Sequence, residues 1–439
     1  MSIRIATDAV VTEGSRPGPL GRLATGGRTR EPQGSRTIAL ARPYPARLGA
    51  SQDERDAHLI FRLAGHAGTT HGDQPLGAAT NWVQLMQLAW DEGAVSALRD
   101  HCARLPAGTV PVDVERRLAC MVLDRELRMR ILEARLTESV ARLTTAGIDV
   151  ALLKGAALAK TVYGSFGARP MKDIDILVRP AETERAKQLM LGIGWERDGD
   201  LPGDSVYTTH HHLAPLRDVR GSRSRLEIHR SLLPYGHPFE LSMVEPWSAM
   251  GTVDVGETRA WALDLHHHAV HIAIHFAWSH VMRAGAWNAF RDLCELEGAG
   301  AIDWSRLVEV ATGARAASCC YWTLTLARRM TGLPVPDGVL DLLAPRMSSA
   351  LLDRLERHFV NVLVRRDPTH LSIRVDRALW NLAIQPARQG HGDARPWTVS
   401  RDLTVARLRR ERAAPAEGPL RRIDRVARCT AYVAGLLWS

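Results

Sequence analysis

The stretch that decides the fold is LLKGAALAKTVYGSFGARPMKDIDILV, residues 152–178. An apolar run of strand length at 148–153 leads into Lys154-Gly155, and a short helical pattern follows at 156–163. Acidic and aliphatic residues then alternate from Asp173 to Val178, which is typical of a β-strand with one buried face. A strand, a helix and a strand in this order predict a small α/β sheet covered by helices.

Two carboxyl groups of the second strand point the same way. Side chains two residues apart in a strand project from one face, so Asp173 and Asp175 converge while the neighbouring isoleucines enter the core. Two acids on one face repel each other unless a cation lies between them. Mg²⁺ fits this position because it prefers carboxylate and phosphate oxygens. The pair therefore predicts a metal site.

A third acid follows in the segment Leu226–His229, which we predict to be another strand after an Arg-rich loop. On a neighbouring strand, Glu227 would complete a two-metal site. His229 lies two residues further on and would share the face of Glu227.

The turn at Lys154-Gly155 predicts a phosphate site. A strand that opens a helix places free backbone N–H groups and the positive helix end where a triphosphate could lie. Gly155 permits close approach, and the Lys154 ammonium can neutralise a phosphate. The chain has 57 lysines and arginines, yet only four are lysines, all between residues 154 and 187. Lys172 is a second phosphate-binding candidate for that reason.

Helical spacing dominates both sides of this core. Val112–Thr145 is one predicted helix, ended by Gly147, and further helices are predicted after the sheet at 264–279, 287–296, 304–311, 317–331 and 339–359. The fold class is therefore α+β, with a small mixed sheet between N- and C-terminal helical regions. We divide the chain into five parts: a disordered basic segment (1–50), a helical lead-in (51–146), an α/β core (147–262), a C-terminal helical domain (263–375) and a basic tail (376–439).

The motifs L-L-K-G-A-A-L-A, R-P-M-K-D-I-D-I-L-V and L-E-I-H-R occur here in that order, and an H-x-x-x-H helix with His271 and His275 follows them. Together they resemble the bacterial family of uncharacterised nucleotidyltransferases of the DNA polymerase β type. The resemblance covers about residues 85–336. It implies a nucleotidyltransferase fold and nucleotidyl transfer.

The resemblance also assigns roles to residues of the first two motifs. Lys154 and Gly155 match the turn that binds the nucleotide phosphates. Asp173 and Asp175 match the metal-binding pair. Arg169 matches the basic residue ahead of that strand and is a candidate nucleotide-binding residue.

In the third motif, Glu227 takes the position of the third carboxylate. His229 takes that of the adjacent histidine and is a candidate nucleotide-binding residue. The implied reaction moves a nucleotidyl group from an NTP to a hydroxyl of a small molecule or peptide and releases pyrophosphate. Mg²⁺ or Mn²⁺ is the implied cofactor.

Three other functions remain open. Ala156 stands where the wider superfamily has serine, which favours a nucleotide-binding scaffold without turnover. Transfer of another group, such as a sugar, from a nucleotide donor would use the same pair of acids. An RNA-modifying enzyme would need a basic surface around its site, but the formal charge of +9 lies at the two ends of the chain. We therefore expect no nucleic acid partner.

Histidines crowd the predicted helix 264–279. His267, His271 and His275 follow each other at intervals of four, so they share one face and could hold Zn²⁺. No H-E-x-x-H motif and no cysteine pair accompanies them. We favour a structural or substrate-lining role.

The remaining features concern the setting of the chain. The six cysteines show no C-x-x-C spacing, no run of 18 apolar residues is present, and the N-terminus does not resemble a secretion signal. We expect a cytoplasmic protein. Residues 421–439 combine arginines with an apolar end, which could give weak contact with an anionic membrane surface or dock on a protein surface.

Overall fold

A computed structural model describes residues 52–65 and 80–384, apart from 202–203, 209, 221–223, 234–237, 242–246, 248–249 and 366–372, and in addition residues 76, 427 and 430. The predicted disorder of residues 1–50 lies outside the described residues, and so does nearly all of the segment 421–439. The predicted domain bounds stay a prediction.

The described residues form thirteen helices: α1 Gln52–Arg62, α2 Trp82–Glu92, α3 Val95–Cys102, α4 Val112–Thr145, α5 Lys154–Thr161, α6 Thr183–Leu191, α7 Leu265–Ile274, α8 Ala286–Gly298, α9 Trp304–Gly313, α10 Ala317–Thr331, α11 Asp337–Leu343, α12 Ser349–Arg365 and α13 Ile373–Ile384. The helix α7 continues into a π-helical turn at His275–Ser279. None of the helices in the described part of the chain combines the length and apolar character that crossing a lipid bilayer requires.

Seven strands form one mixed sheet in the order β3-β4-β5-β2-β1-β7-β6. They are β1 Ala151–Leu152, β2 Asp173–Leu177, β3 Trp195–Arg197, β4 Leu216–Asp218, β5 Arg225–His229, β6 Met250–Val255 and β7 Thr258–Leu263. The pairs β2–β5 and β1–β7 are parallel, and the other neighbours are antiparallel. The predicted α+β class, with helices before and after a small mixed sheet, is confirmed.

Some elements differ from the prediction. The apolar run at 148–153 pairs as a strand only over Ala151–Leu152, because the chain enters α5 at the next turn. The predicted helix at 339–359 is divided into α11 and α12, and Pro345 lies in the break, where its ring removes a backbone donor. The strands β3, β4, β6 and β7 were not predicted. β3 and β4 have only three residues each, too few for an alternation to stand out.

One face of the sheet packs on α4 and α6. Ile174 and Ile176 of β2 and Leu226 and Ile228 of β5 are buried in a core that α4 and α6 also supply. Helix α4 ends at Thr145, and Gly147 follows with φ +77°, a left-handed conformation that glycine adopts without strain. The predicted helix end at Gly147 is confirmed.

Helices from both ends of the described chain share a second core. Residues of α1, α2 and α3 pack with residues of α8, α10 and α12 in one hydrophobic cluster. The indole Nε1 of Trp287 in α8 donates to the carbonyl oxygen of Ile60 in α1 at 3.0 Å. The lead-in helices and the C-terminal helices therefore form one layer, although about 200 residues of chain separate them.

A buried ion pair joins this helical layer to the loop before β2. Arg169 donates from Nε and Nη2 to the two carboxylate oxygens of Asp292 in α8, at 2.6 and 2.8 Å. The hydroxyl of Tyr163 donates to Asp292 Oδ1 at 2.7 Å. Arg169 and Asp292 are both buried, so each charge depends on the other for compensation.

We predict that Asp292→Ala lowers the free energy of unfolding by about 3–5 kcal/mol, because it leaves the Arg169 guanidinium buried without its carboxylate. Urea unfolding followed by circular dichroism measures this. The matched control is Glu309→Ala, whose exposed pair with Arg306 should contribute no more than about 1 kcal/mol. Equal losses in the two variants would contradict the structural role of Asp292.

Candidate active site

The site starts from the parallel pairing of β2 and β5. In this register Asp175 lies opposite Glu227, and Leu177 lies opposite His229. Because the isoleucines of β2 occupy the face packed on α4 and α6, Asp175 projects from the other face, as its position in the strand predicts. Two carboxyl groups that are 52 positions apart in the sequence thus become neighbours.

Lys154 reaches this pair from β1. The strand ends at Leu152, the backbone N–H of Leu153 donates to the Asp175 carbonyl at 3.0 Å, and α5 begins at Lys154. Lys154 has φ +45°, a left-handed conformation that costs a residue with a side chain about 1 kcal/mol or more. The strained turn directs its Nζ to Asp175 Oδ1 at 2.7 Å.

Asp175 is the centre of the charge network. His229 Nε2 lies 2.9 Å from the same Oδ1 that receives the Lys154 hydrogen bond. Desolvation alone would raise the pKa of the Asp175 carboxyl, but the charge of Lys154 and the hydrogen bond from His229 outweigh it and hold that pKa well below its usual value. Asp175 is therefore ionised at neutral pH.

His229 is fully buried between two carboxylates. Its Nε2 lies 3.6 Å from Glu227 Oε2 as well as 2.9 Å from Asp175. Burial lowers the pKa of an imidazole, but the hydrogen bonds to Asp175 and Glu227 reverse this and raise the pKa of His229 above 6.5. His229 thus contributes positive charge to the site over more of the pH range than an ordinary histidine.

Asp173 and Glu227 respond differently to the same neighbours. Desolvation, followed by the negative charges of Asp175 and Glu227, raises the pKa of Asp173 to about 6, although the residue as a whole is exposed. Desolvation also acts against the charge of Glu227, but the hydrogen bond with His229 prevails and lowers its pKa. Negative charge at Asp173 therefore remains only partly compensated.

This donor set fits a divalent cation. Ligand atoms of Asp175, Glu227 and His229 lie within 4.8 Å of one another, and Asp173 stands next to them at the open end of β2. Lys154, His229 and the more weakly acting charge of Arg169 compensate the three carboxyl groups only in part. Carboxylate oxygens in excess over positive charge are the environment that Mg²⁺ and Mn²⁺ prefer.

The other predicted phosphate-binding residues lie around the start of α5. Its first backbone N–H groups have no partner within the helix and point out of its N-terminal end, beside Asp175. A Cβ added at Gly155 would meet Arg169 Nη1 and the Met171 side chain at 3.5 Å, so the glycine faces protein there and ordinary contact would result. Lys172 is exposed next to Asp173.

Arg169 has a different environment from the one expected for a phosphate-binding residue. Besides its two bonds to Asp292, its Nη1 donates to the Pro170 carbonyl at 2.8 Å. It still lowers the pKa of Asp173 through its charge, against the larger effects that raise it. Its role in nucleotide binding stays a prediction, and its pairing with Asp292, 123 residues away in the chain, left no local signal in the sequence.

Histidines after the sheet lie near Lys154 and line the site. His271 in α7 is buried and His275 after it is half-buried, and desolvation followed by the nearby charge of Lys154 holds the pKa of both imidazoles well below 6.5. The ring of His280 lies 4.4 Å from that of His275. Directly after His280 in the chain, Val281 and Met282 have φ of +46° and +54°. Such strained left-handed conformations concentrate at functional sites.

The alternative of a Zn²⁺ site on α7, which we did not favour, is not among the possible metal-binding groups of the described residues. His267 Nδ1 contacts the N-cap residue Asp264, so His267 serves the start of the helix, while His271 and His275 lie near Lys154. Among the described residues, two groups could hold a metal ion: Asp175 with Glu227 and His229, and the run His210-His211-His212. The run of three was visible in the sequence, but its position beside Glu227 was not.

A model of one protein family, described as uncharacterised nucleotidyltransferase, matches residues 78–332, more than half of the chain. The chain belongs to this family and is an enzyme that transfers nucleotidyl groups. The resemblance stated from the motifs is confirmed. No curated protein and no solved structure matches the chain.

We predict that the pKa of His229 lies above 6.5 in the wild type and falls in Asp175→Asn, because desolvation is then opposed by one carboxylate fewer. Nuclear magnetic resonance titration of histidine-labelled protein measures it, with His229→Gln to assign the resonance. Asp254→Asn, an exposed change on β6, is the control. An unchanged midpoint in Asp175→Asn would show that Asp175 does not stabilise the charged imidazole.

Proposed function

We propose that this enzyme transfers a nucleotidyl group from an NTP to a hydroxyl of a small molecule or peptide, in a reaction that requires Mg²⁺ or Mn²⁺. One observation carries the proposal. Asp175 and Glu227 stand side by side on β2 and β5, and Lys154 brings an ammonium and a helix N-terminus to the same point.

In the proposed site, Asp173, Asp175 and Glu227 hold the metal ion. Bound there, Mg²⁺ or Mn²⁺ supplies charge neutralisation for the triphosphate and the leaving pyrophosphate. The Lys154 ammonium has three donors, so it can keep its bond to Asp175 and also donate to a phosphate oxygen. The first N–H groups of α5 provide further donors to the phosphates.

The proposed reaction is a displacement at the α-phosphorus. The acceptor oxygen forms a bond to that phosphorus while the bond to the bridging oxygen of the β-phosphate breaks, and pyrophosphate leaves. Glu227, ionised because its pKa is lowered, would either complete the metal site or take the acceptor proton. The protein contributes mainly position and charge to such a transfer.

The histidines that line the site indicate which class of acceptor it would bind. Desolvation keeps His271, His275 and His280 neutral, with the pKa of His280 lowered to about 4. Neutral imidazoles offer hydrogen bonds without attracting a polyanion. This favours a small molecule or peptide over a nucleic acid as the acceptor, in agreement with the nearly neutral centre of the chain.

We predict that ATP, GTP, CTP or UTP binds with Mg²⁺ and that Asp173→Asn and Asp175→Asn each weaken this binding by at least about tenfold, since each removes a ligand charge. Isothermal titration calorimetry with and without Mg²⁺ measures it. Asp254→Asn serves as the matched control, because its carboxyl is exposed on β6.

Failure of all four nucleotides to bind with Mg²⁺ or Mn²⁺ would overturn the proposal. The fold would then be interpreted as a binding scaffold without catalytic turnover. Where one binds, mass spectrometry of products from an acceptor screen distinguishes nucleotidyl transfer from transfer of another group, such as a sugar, from the same donor.

A pH dependence follows from Asp173. Its pKa is raised to about 6, so the carboxyl is charged above that pH and protonated below it. Affinity for Mg²⁺ should therefore fall as the pH decreases through about 6, by up to about tenfold per pH unit, because the metal competes with the proton. Calorimetric titration across this range measures the slope. The slope should disappear in Asp173→Asn, and its persistence there would assign it to another group.

A further inference from the structure

The run His210-His211-His212 lies beside the carboxylate site and has no part in the proposed transfer. The segment that carries it pairs with the end of β5: His212 forms an antiparallel bridge with His229, and the backbone N–H of Leu213 donates to the Ile228 carbonyl at 2.9 Å. The backbone N–H of Arg230 donates to the His211 carbonyl at 2.8 Å. The three imidazoles are therefore held on a hydrogen-bonded frame.

The rings converge. Centroids lie 4.6 Å apart for His210 and His211, 4.2 Å for His210 and His212, and 4.8 Å for His211 and His212. One nitrogen from each ring lies within 4.8 Å of the nitrogens of the other two. Two ligands of a tetrahedral Zn²⁺ ion stand about 3.4 Å apart when their bonds are about 2.0–2.1 Å. Small ring rotations would bring the three nitrogens to that spacing.

Local hydrogen bonding prepares the rings as ligands. His212 Nδ1 lies 2.6 Å from the carbonyl oxygen of Leu213, so Nδ1 carries the proton and Nε2 has a free lone pair. This backbone contact is the arrangement that orients metal-bound histidines in proteins. The buried Nδ1 of His211 has no hydrogen-bond partner among the described residues, and an orphaned ring nitrogen of this kind is available to a metal.

A fourth ligand is within reach. Glu227 Oε2 lies 3.7 Å from His212 Nε2, on the side away from the backbone contact of that ring. This distance is close to the spacing of two ligands on one tetrahedral ion, about 3.4 Å. Glu227 would then stand between the histidine run and the carboxylates of β2.

We propose that His210, His211 and His212, with Glu227, form a second metal site that binds a transition metal ion such as Zn²⁺ or Co²⁺. Imidazole nitrogens select Zn²⁺, Co²⁺ and Ni²⁺ over Mg²⁺, whereas the carboxylates of β2 also suit Mg²⁺. The enzyme thus presents two adjacent sites of different metal preference. The inference requires no nucleotide and stands apart from the proposed transfer, with which it shares only Glu227.

The test uses full-length protein, freed of its purification tag and treated with a chelator. Titration with Co²⁺ in excess Mg²⁺ is followed by the visible absorption of the bound ion, which distinguishes nitrogen-rich tetrahedral sites from octahedral oxygen sites. We expect one equivalent to bind, and the affinity to fall by at least about tenfold in His211→Gln and in His212→Gln. His58→Gln is the matched control, because His58 belongs to α1, which packs on α2, α8, α10 and α12.

Folding of each variant is checked by its own unfolding temperature, measured with and without Zn²⁺. A site that binds only the folded protein raises this temperature, so the rise should occur in the wild type and in His58→Gln and vanish in the two site variants. A variant that unfolds without Zn²⁺ at the same temperature as the wild type has kept its fold, so a missing rise with Zn²⁺ then reports loss of metal binding alone.

The inference is overturned if the wild type binds no Co²⁺ or Zn²⁺ in excess Mg²⁺, or if both site variants bind as tightly as the wild type. It is also overturned if binding survives in the histidine variants and is lost in Asp173→Asn, which would place the ion on the carboxylates. Co²⁺ binding retained in Asp173→Asn, together with loss of nucleotide binding, supports both sites separately. Co²⁺ binding without any nucleotide binding would leave the histidine site standing and overturn the transferase proposal alone.

Discussion

The parallel pairing of β2 with β5 is the constraint on which the site depends. Because the back face of this sheet must be apolar to pack on α4 and α6, the polar residues of both strands can project only to the front. The register then fixes their partners, with Asp175 opposite Glu227. A shift by one residue would bury the acids and expose the isoleucines, so the register that builds the core also builds the site.

Gathering carboxyl groups in one place requires compensation, and the structure supplies only part of it. Lys154 adopts a left-handed backbone conformation to reach Asp175, and His229 is buried with a raised pKa between two acids. The pKa of Asp173 remains raised to about 6 because desolvation and the neighbouring carboxylates still act on it. This unmatched negative charge favours a divalent cation, and in the proposed reaction the triphosphate would bind through that cation.

The helical layer completes the site. Asp292 in α8 fixes the Arg169 loop before β2, while α7 and the π-helical turn after it place neutral histidines opposite Lys154. Helices from both ends of the described chain form the core behind these contacts. The enzyme therefore places its charged groups on the sheet and its neutral hydrogen-bonding groups on the helices, and the acceptor would lie between them.

The sequence by itself determined what depends on neighbours in the chain. The alternation around Asp173 and Asp175 encodes a strand with an acidic face, the turn at Lys154 encodes a strand-to-helix transition, and the motifs identify the family. Only the tertiary structure decided which distant groups meet, such as Arg169 with Asp292, because those contacts depend on packing across 123 residues of chain and leave no periodic pattern. The placement of the histidine run beside the carboxylates was decided in the same way, since strand pairing and not sequence distance brings two segments together.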